Sequence, residues 1–220
     1  MPKNCYIHIP FCRSKCKYCS FVSFPRLELK KSYLNSLKEE IKIRYNNEEL
    51  NTLYFGGGTP SVLTPNEFLE IIQMFNFAKN PEITTELNPE TMSLEYLQKL
   101  KQIGINRISF GCQTFDDSIL KIIGRRHSAK CTIQAVTMAQ TAGIENISLD
   151  FIYGLPCQNL EGFETDLKTA VGLGIQHISL YGLKIDEGCY FYEHAPENLP
   201  DEDMQADMYL KAIEVVSEYG

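Results

Sequence analysis

Apolar and polar residues alternate in six short segments of the chain, and apolar residues recur at helical spacing between these segments. Six strand-then-helix units predict a parallel sheet with right-handed crossovers. The predicted strands are Cys5–Ile9, Asn51–Phe55, Glu82–Asn88, Asn106–Gly111, Asn146–Tyr153 and Gln176–Tyr181. The predicted helices are Leu29–Tyr45, Pro65–Phe77, Leu94–Ile103, Ser118–Ile123, Ala129–Thr141, Leu160–Leu173 and Asp201–Glu218.

Several predicted helices carry start and stop signals. Thr64 precedes a proline and is followed three residues later by Glu67, the pattern of a capping box. Gly104, Gly143 and Gly174 stand where three helices should end.

The second face of the strands is polar on five of the six. The third strand, for example, offers Thr84, Glu86 and Asn88 against Ile83 and Leu87. A doubly wound sheet, the structural rival, buries both faces and reads as continuous apolar runs. A closed eight-stranded barrel fills its interior with branched apolar side chains. The pattern therefore favours an α/β fold of one domain over residues 1–220: a partial, TIM-like (β/α)₆ barrel with outer helices and a polar lumen.

Composition narrows the class of protein. The 220 residues carry a formal net charge of −7, which argues against a nucleic-acid surface. We see neither a secretory signal nor a run of about 18 apolar residues, so we expect a cytoplasmic protein without a membrane span. Eight cysteines in such a chain indicate reduced thiols or metal ligation rather than disulfides.

Three of these cysteines, Cys12, Cys16 and Cys19, lie within eight residues. A structural zinc usually takes four protein ligands in two distant pairs. A cubane iron–sulfur cluster held by three thiolates keeps one iron open, as catalysis requires. Two alternatives remain at this point: buried free thiols, or a structural zinc completed by Cys5, His8 or a distant residue.

A second motif, Gly56-Gly57-Gly58-Thr59, follows the second strand. Glycines there allow a ligand to approach the backbone closely. A structural turn explains them equally well, and the Gly-x₄-Gly-Lys-Ser/Thr pattern of a phosphate cradle is absent.

Together the motifs resemble those of the radical S-adenosylmethionine (SAM) family, in its oxygen-independent coproporphyrinogen III oxidase-like group. The similarity runs through almost the whole chain in the family's order. The motifs that carry it are Tyr6-Ile-His8-Ile-Pro-Phe-Cys12-x₃-Cys16-x₂-Cys19, Tyr54-Phe-Gly-Gly-Gly-Thr-Pro-Ser61, Glu86-Leu-Asn-Pro-Glu90, Arg107-Ile-Ser-Phe-Gly-Cys-Gln113, Gly124-Arg-Arg-His127 and Leu149-Asp-Phe-Ile-Tyr-Gly-Leu-Pro156.

The resemblance implies two cofactors and their ligands. Cys12, Cys16 and Cys19 would hold a [4Fe–4S] cluster, whose fourth iron takes the amino and carboxylate groups of SAM. By the same resemblance, one set of residues contacts SAM: Tyr6, Tyr18, Gly57, Gly58, Thr59, Glu86, Gln113, Arg125 and Asp150. The ordinary alternatives are core packing for the two tyrosines and a solvated surface charge for the arginine.

Within the group, the chain resembles the HemW-type haem chaperones. Phe21 occupies the position of a fourth cysteine in the coproporphyrinogen-oxidising branch, and only five residues precede Tyr6. Family members continue beyond the last predicted helix, so we expect that this chain is the barrel without the C-terminal family region. The implied partners are haem or a porphyrin, a haem-acceptor protein and an electron donor.

Two other functions stay open. One is an enzyme that decarboxylates the propionates of coproporphyrinogen III through a 5′-deoxyadenosyl radical, and the other is a non-catalytic metal-binding scaffold. His8 and His177 are predicted lumen residues, either structural or in contact with a porphyrin. The other cysteines are expected to be free thiols: Cys5, Cys112, Cys131, Cys157 and Cys189.

Overall fold

The computed structural model describes residues 3–219. Its strands are β1 (Asn4–Ile9), β2 (Glu49–Gly57), β3 (Asn76–Leu87), β4 (Arg107–Gln113), β5 (Asn146–Tyr153) and β6 (His177–Gly182). Its α-helices are α1 (Lys30–Arg44), α2 (Pro65–Ile72), α3 (Leu94–Gln102), α4 (Asp117–Ile122), α5 (Ala129–Thr141), α6 (Leu160–Gly172), α7 (Tyr190–Glu193) and α8 (Glu202–Tyr219). Single 3₁₀ turns cover Leu27–Leu29, Pro60–Val62 and Pro89–Thr91.

The six strands form one parallel sheet in the order β1-β2-β3-β4-β5-β6. β1 and β6 are its two edges, so the sheet is open between them. This order is the one that consecutive right-handed β–α–β units produce, and it confirms the predicted α/β architecture.

The two faces of the sheet differ as predicted. Apolar strand residues such as Ile9 and Phe55 are fully buried beneath the helices, where Phe55 meets Phe68 of α2 edge-on at 5.0 Å between ring centroids. On the other face the register places polar residues side by side on neighbouring strands. These are Glu86, Ser109, Ser148 and His177.

The predicted caps are also present. Thr64 and Glu67 form a complete capping box at α2, and Gly104, Gly143 and Gly174 have the positive φ angles that suit glycine at a helix end.

Two predicted boundaries, the end of α2 and the start of β3, are wrong. The helix predicted over Pro65–Phe77 ends at Ile72, and Asn76 already belongs to β3. Asn76 pairs with Glu49 of β2, and Phe75 packs edge-on against Tyr45 at 4.9 Å, so tertiary contacts override the helical pattern at this end. The start of β3 was also predicted wrongly, since the strand begins at Asn76, six residues before the predicted Glu82. The remaining predicted ends lie within two residues of the observed ones. The short α7 was not predicted.

No helix in the described part of the chain is long and apolar enough to cross a membrane.

Candidate functional site

The predicted site residues meet at the carboxyl edge of the sheet. The loop with the three cysteines follows β1, the glycine motif ends β2, and Gln113 ends β4. Glu86 and Asp150 lie on β3 and β5, near the same edge. Arg125 arrives from the loop after α4. Parallel strands all point their carboxyl ends to one side, so residues distant in sequence converge there.

A hydrogen-bonded chain connects two of the three cysteines. The Cys12 thiol lies 3.2 Å from the Thr59 hydroxyl, which accepts a bond from the Asn88 amide at 3.1 Å. Arg125 Nη2 donates to Asn88 Oδ1 at 2.9 Å, and Arg125 Nη1 donates to Cys16 Sγ at 3.5 Å. The cysteine loop is thus tied to three other loops of the same edge.

The thiols are arranged for these hydrogen bonds rather than around a common centre. Among residues 3–219, no three His, Cys, Asp or Glu side chains already form a set that could hold a metal ion. Burial raises the pKa of Cys19, and the charges of Cys16 and Cys12 raise it further. Iron ions would offset this mutual repulsion, so a thiolate donor set of this kind fits an iron–sulfur cluster chemically.

The Arg125 side chain is half-buried, and its guanidinium donates hydrogen bonds to Cys16 and Asn88, which rules out the solvated surface charge. Burial alone would lower its pKa, but the neighbouring Tyr18 and Cys16 raise it, so the guanidinium stays charged. Its Nη2 also donates to the Gly111 carbonyl at 2.7 Å. Its Nε is buried and has no hydrogen-bond partner among the described residues. A buried cation with a donor to spare fits a carboxylate ligand.

The glycine motif has a local structural cause. Gly57 has φ +114°, and a Cβ at Gly58 would stand 2.7 Å from the Phe11 carbonyl oxygen. The Thr59 N–H donates to that same oxygen at 2.7 Å, so the motif packs directly against the start of the cysteine loop. The structural turn explanation therefore accounts for Gly57 and Gly58, and their predicted contact with SAM stays a prediction.

Two carboxylates, Glu86 and Asp150, stand in the polar lumen. Glu86 accepts bonds from the Tyr54 hydroxyl at 2.9 Å and the Gly57 N–H at 3.2 Å. Asp150 accepts from the Ser109 hydroxyl at 2.9 Å. Burial raises the pKa of both carboxyl groups, and the Asp150 charge adds to the rise at Glu86. A cationic ligand between them would relieve this cost, which fits an ammonium or sulfonium group.

The other predicted SAM residues border the same space. Gln113 is buried with φ +71°, at a register shift between β4 and β5 that redirects its side chain. Tyr6 is exposed and stacks on Tyr54 at 5.8 Å. Tyr18 packs beside Cys16, and burial raises its pKa.

Of the predicted lumen histidines, His8 has both ring nitrogens engaged, one with the Val22 carbonyl at 2.9 Å and one with the Tyr6 hydroxyl at 3.3 Å. His177 bonds the Ser148 hydroxyl at 2.8 Å. All eight cysteines are free thiols.

Three residues at the site were missed as individual candidates: Asn88, Glu90 and His127. The first two belong to the Glu86-Leu-Asn-Pro-Glu90 motif, whose spacing was the available signal. His127 bonds the Cys112 carbonyl through Nε2 at 3.1 Å, while its Nδ1 lies 3.8 Å from Glu90 Oε2. Neither His127 Nδ1 nor Glu90 Oε2 has a hydrogen-bond partner in the described chain.

His127 should make the protein sensitive to acid. Burial lowers the pKa of His127 to about 4, and the Arg125 charge adds to the effect. Between about pH 6.5, where an unfolded histidine titrates, and pH 4, the unfolded state binds the extra proton. Folding stability is therefore lost as the pH falls through this window, by up to about 3 kcal/mol.

The measurement is urea unfolding of the wild type and His127→Gln at several pH values. We expect the advantage of the wild type over the variant to shrink by that amount from pH 6.5 to pH 4, because groups common to both proteins cancel in the difference. A difference that does not change with pH contradicts a neutral, buried His127.

Comparison with known proteins places these features in a family. The family model of the radical SAM superfamily matches residues 6–170. The haem chaperone HemW of Bacillus subtilis is 36% identical over 230 residues, covering 99% of this chain and 61% of that protein. An oxygen-independent coproporphyrinogen III oxidase of Helicobacter pylori is 35% identical over 89% of this chain and 43% of that protein.

Among solved structures, coproporphyrinogen III oxidase (HemN) from Escherichia coli, a radical SAM enzyme, superposes with a TM-score of 0.90 and 26% identity. That match covers 100% of this chain and 53% of that one. The archaeal Elp3 of Methanocaldococcus infernus, at TM-score 0.64 and 14% identity, shares the fold. The chain spans about three-fifths of the length of the HemW proteins it matches.

Proposed function

The chain belongs to the radical SAM superfamily, and from that premise we propose that it is the cluster- and SAM-binding barrel of a haem chaperone. The observation that carries this proposal is the match to HemW proteins over the full chain, for example 36% identity to that of Bacillus subtilis and 33% to that of Escherichia coli. Phe21 is exposed in the cysteine loop. It occupies the position at which the motif of the coproporphyrinogen-oxidising branch has a fourth cysteine.

In this proposal the cysteine loop holds the cluster. Cys12, Cys16 and Cys19 are its ligands, and Thr59 and Arg125, which contact the first two thiols, orient the loop. When bound, the cluster supplies the electron that can cleave the sulfonium bond of SAM.

The lumen residues bind and orient SAM. Arg125 pairs with its carboxylate through the buried guanidinium, and Glu86 accepts from its ammonium group. Asp150 accepts from ribose hydroxyls, as acidic residues do in other nucleotide sites. Thr59, Gln113 and the backbone of the glycine motif close the space around the methionine end.

A second candidate function is coproporphyrinogen III oxidation. It is favoured by the TM-score of 0.90 to the Escherichia coli oxidase and by the 35% identity to the Helicobacter pylori protein. The two functions share the cluster and the SAM site, and they differ in what happens to the porphyrin.

Two assays on the anaerobically reconstituted protein distinguish a haem chaperone from a coproporphyrinogen III oxidase. We expect haem to bind, with a shifted Soret band, and coproporphyrinogen III to remain unchanged in the presence of SAM and a reductant. The variant with Cys12, Cys16 and Cys19 all replaced by alanine gives the background of the oxidation assay. Protoporphyrinogen formed over many turnovers would overturn the chaperone and support the oxidase. Failure to bind haem, without turnover, would overturn the haem-chaperone proposal.

A further inference from the structure

Two segments of this acidic protein contain no acidic residue at all. Residues 1–27 carry five lysines and arginines, and residues 118–144 carry four, whereas neither segment has an Asp or Glu. Nine of the 21 cationic residues, and none of the 28 acidic ones, thus lie in about a quarter of the chain. The remainder is strongly negative.

The fold brings these two segments together at the cysteine loop. The Lys17 N–H donates to the Ile123 carbonyl at 3.0 Å, and a Cβ on Gly124 would lie 3.3 Å from the Lys17 side chain. Arg13 and Arg126 line the same small cavity, of about 20 Å³, together with Cys16. Positive charges therefore border the loop that would hold the cluster. Two acidic residues also adjoin it: Glu90 lines the same cavity, and Asp186 accepts a hydrogen bond from Ser20 at 3.4 Å.

These cations are free of acidic partners. Arg13, Lys15, Lys121 and Arg126 are exposed, and none of them forms an ion pair within residues 3–219. Lys17 stands over the Tyr190 ring instead, 5.6 Å from its centroid. On the outer helices, by contrast, many lysines are neutralised, including Lys30 by Glu67 and Lys99 by Glu95. We call these five residues the cationic face: Arg13, Lys15, Lys17, Lys121 and Arg126.

We infer that the cationic face is the docking surface for an acidic one-electron carrier protein, a small flavoprotein or a ferredoxin, that reduces the cluster. The inference rests on the proposed function, since it presumes a cluster in the cysteine loop. One electron leaves the carrier's reduced cofactor and one enters the cluster, and no atom is transferred. Docking over the loop gives the electron the shortest way in, because Cys16 and Cys19 lie only half-buried beneath it.

The size of the cationic face fits such a partner better than a polyanion. A small carrier covers a compact patch, and weak redox complexes bury little surface. A nucleic acid or a membrane plane would extend beyond the patch onto a surface with more than two acidic residues for every cationic one. Complementary charge also speeds the encounter of a short-lived complex.

A matched pair of charge-reversal variants tests the inference. One variant is Lys15→Glu/Lys121→Glu/Arg126→Glu on the cationic face. The control is Lys3→Glu/Lys79→Glu/Lys101→Glu, which changes the net charge equally at exposed positions near the amino edge of the sheet. The partner is a purified acidic flavodoxin. Its binding is followed by calorimetry, and reduction of the reconstituted cluster is followed by anaerobic stopped-flow absorbance.

At about 0.02 M salt, the first variant should bind flavodoxin about tenfold or more weakly than the wild type, and its cluster should be reduced about tenfold or more slowly. The control should match the wild type in both measurements within about twofold. The difference should shrink at about 0.5 M salt, where screening shortens the reach of charges. Equal losses in both variants would overturn the docking surface, as would wild-type binding to anionic phospholipid vesicles or to transfer RNA in preference to flavodoxin. Wild-type protein without iron and sulfide after reconstitution contradicts the proposed function instead, and calorimetry of flavodoxin still decides the docking surface.

Discussion

Replacing Cys12, Cys16 or Cys19 by alanine is expected to abolish the iron–sulfur cluster in each single variant. Three thiolates are the minimum for a cluster with one open iron, so the loss of any one leaves an under-ligated, labile centre. The measurement is the brown absorbance, with iron and sulfide content, after anaerobic reconstitution. Cys157→Ala is the matched control, because Cys157 is an exposed free thiol outside the loop.

The competing explanations give different results in the same experiment. A structural zinc would appear as one zinc per chain without sulfide, and inert thiols would leave the wild type colourless. A full cluster retained by the triple-alanine variant would show that the ligands are elsewhere. The thermal unfolding midpoint of each variant, measured without metal, shows whether the fold itself is intact.

Most of the fold could be predicted because it rests on local patterns. The alternation of Thr84, Glu86 and Asn88 with Ile83 and Leu87 predicts a strand with one polar face and one apolar face. The end of α2 could not be predicted in this way. Asn76 continues a helical pattern in sequence, yet its pairing with Glu49 depends on β2, which lies some 25 residues away along the chain.

The residues of the site could largely be predicted from the sequence, but the hydrogen bonds between them could not. Residues such as Glu86 and Asp150 follow from their place on polar strand faces and from the family resemblance. The bonds of Asn88 to both Thr59 and Arg125 depend on where three loops meet. No periodicity within a single segment encodes such a meeting. The proximity of Glu90 and His127 could not be predicted for the same reason.

Replacing Arg125 by alanine is expected to weaken SAM binding by about 1.5–3 kcal/mol, roughly tenfold to a hundredfold, the cost of losing a charge-assisted hydrogen bond. Arg125→Lys should recover part of the loss, because it keeps the charge but cannot reach Asn88, Gly111 and Cys16 at once. Calorimetry with SAM on cluster-loaded protein is the measurement.

Arg126→Ala is the control for these variants, since Arg126 is the exposed neighbour with the same charge. Alanine at position 125 also removes the hydrogen bonds that Arg125 donates to the Asn88 and Gly111 oxygens, so the unfolding free energy of this variant must be measured alongside. The lysine variant separates the two effects: if its stability is native and its SAM affinity equals that of the wild type, a specific role of the Arg125 guanidinium in pairing with the SAM carboxylate is wrong. An affinity between those of alanine and arginine, at native stability, shows that a buried positive charge binds SAM and that the planar guanidinium aligns it with the cysteine loop.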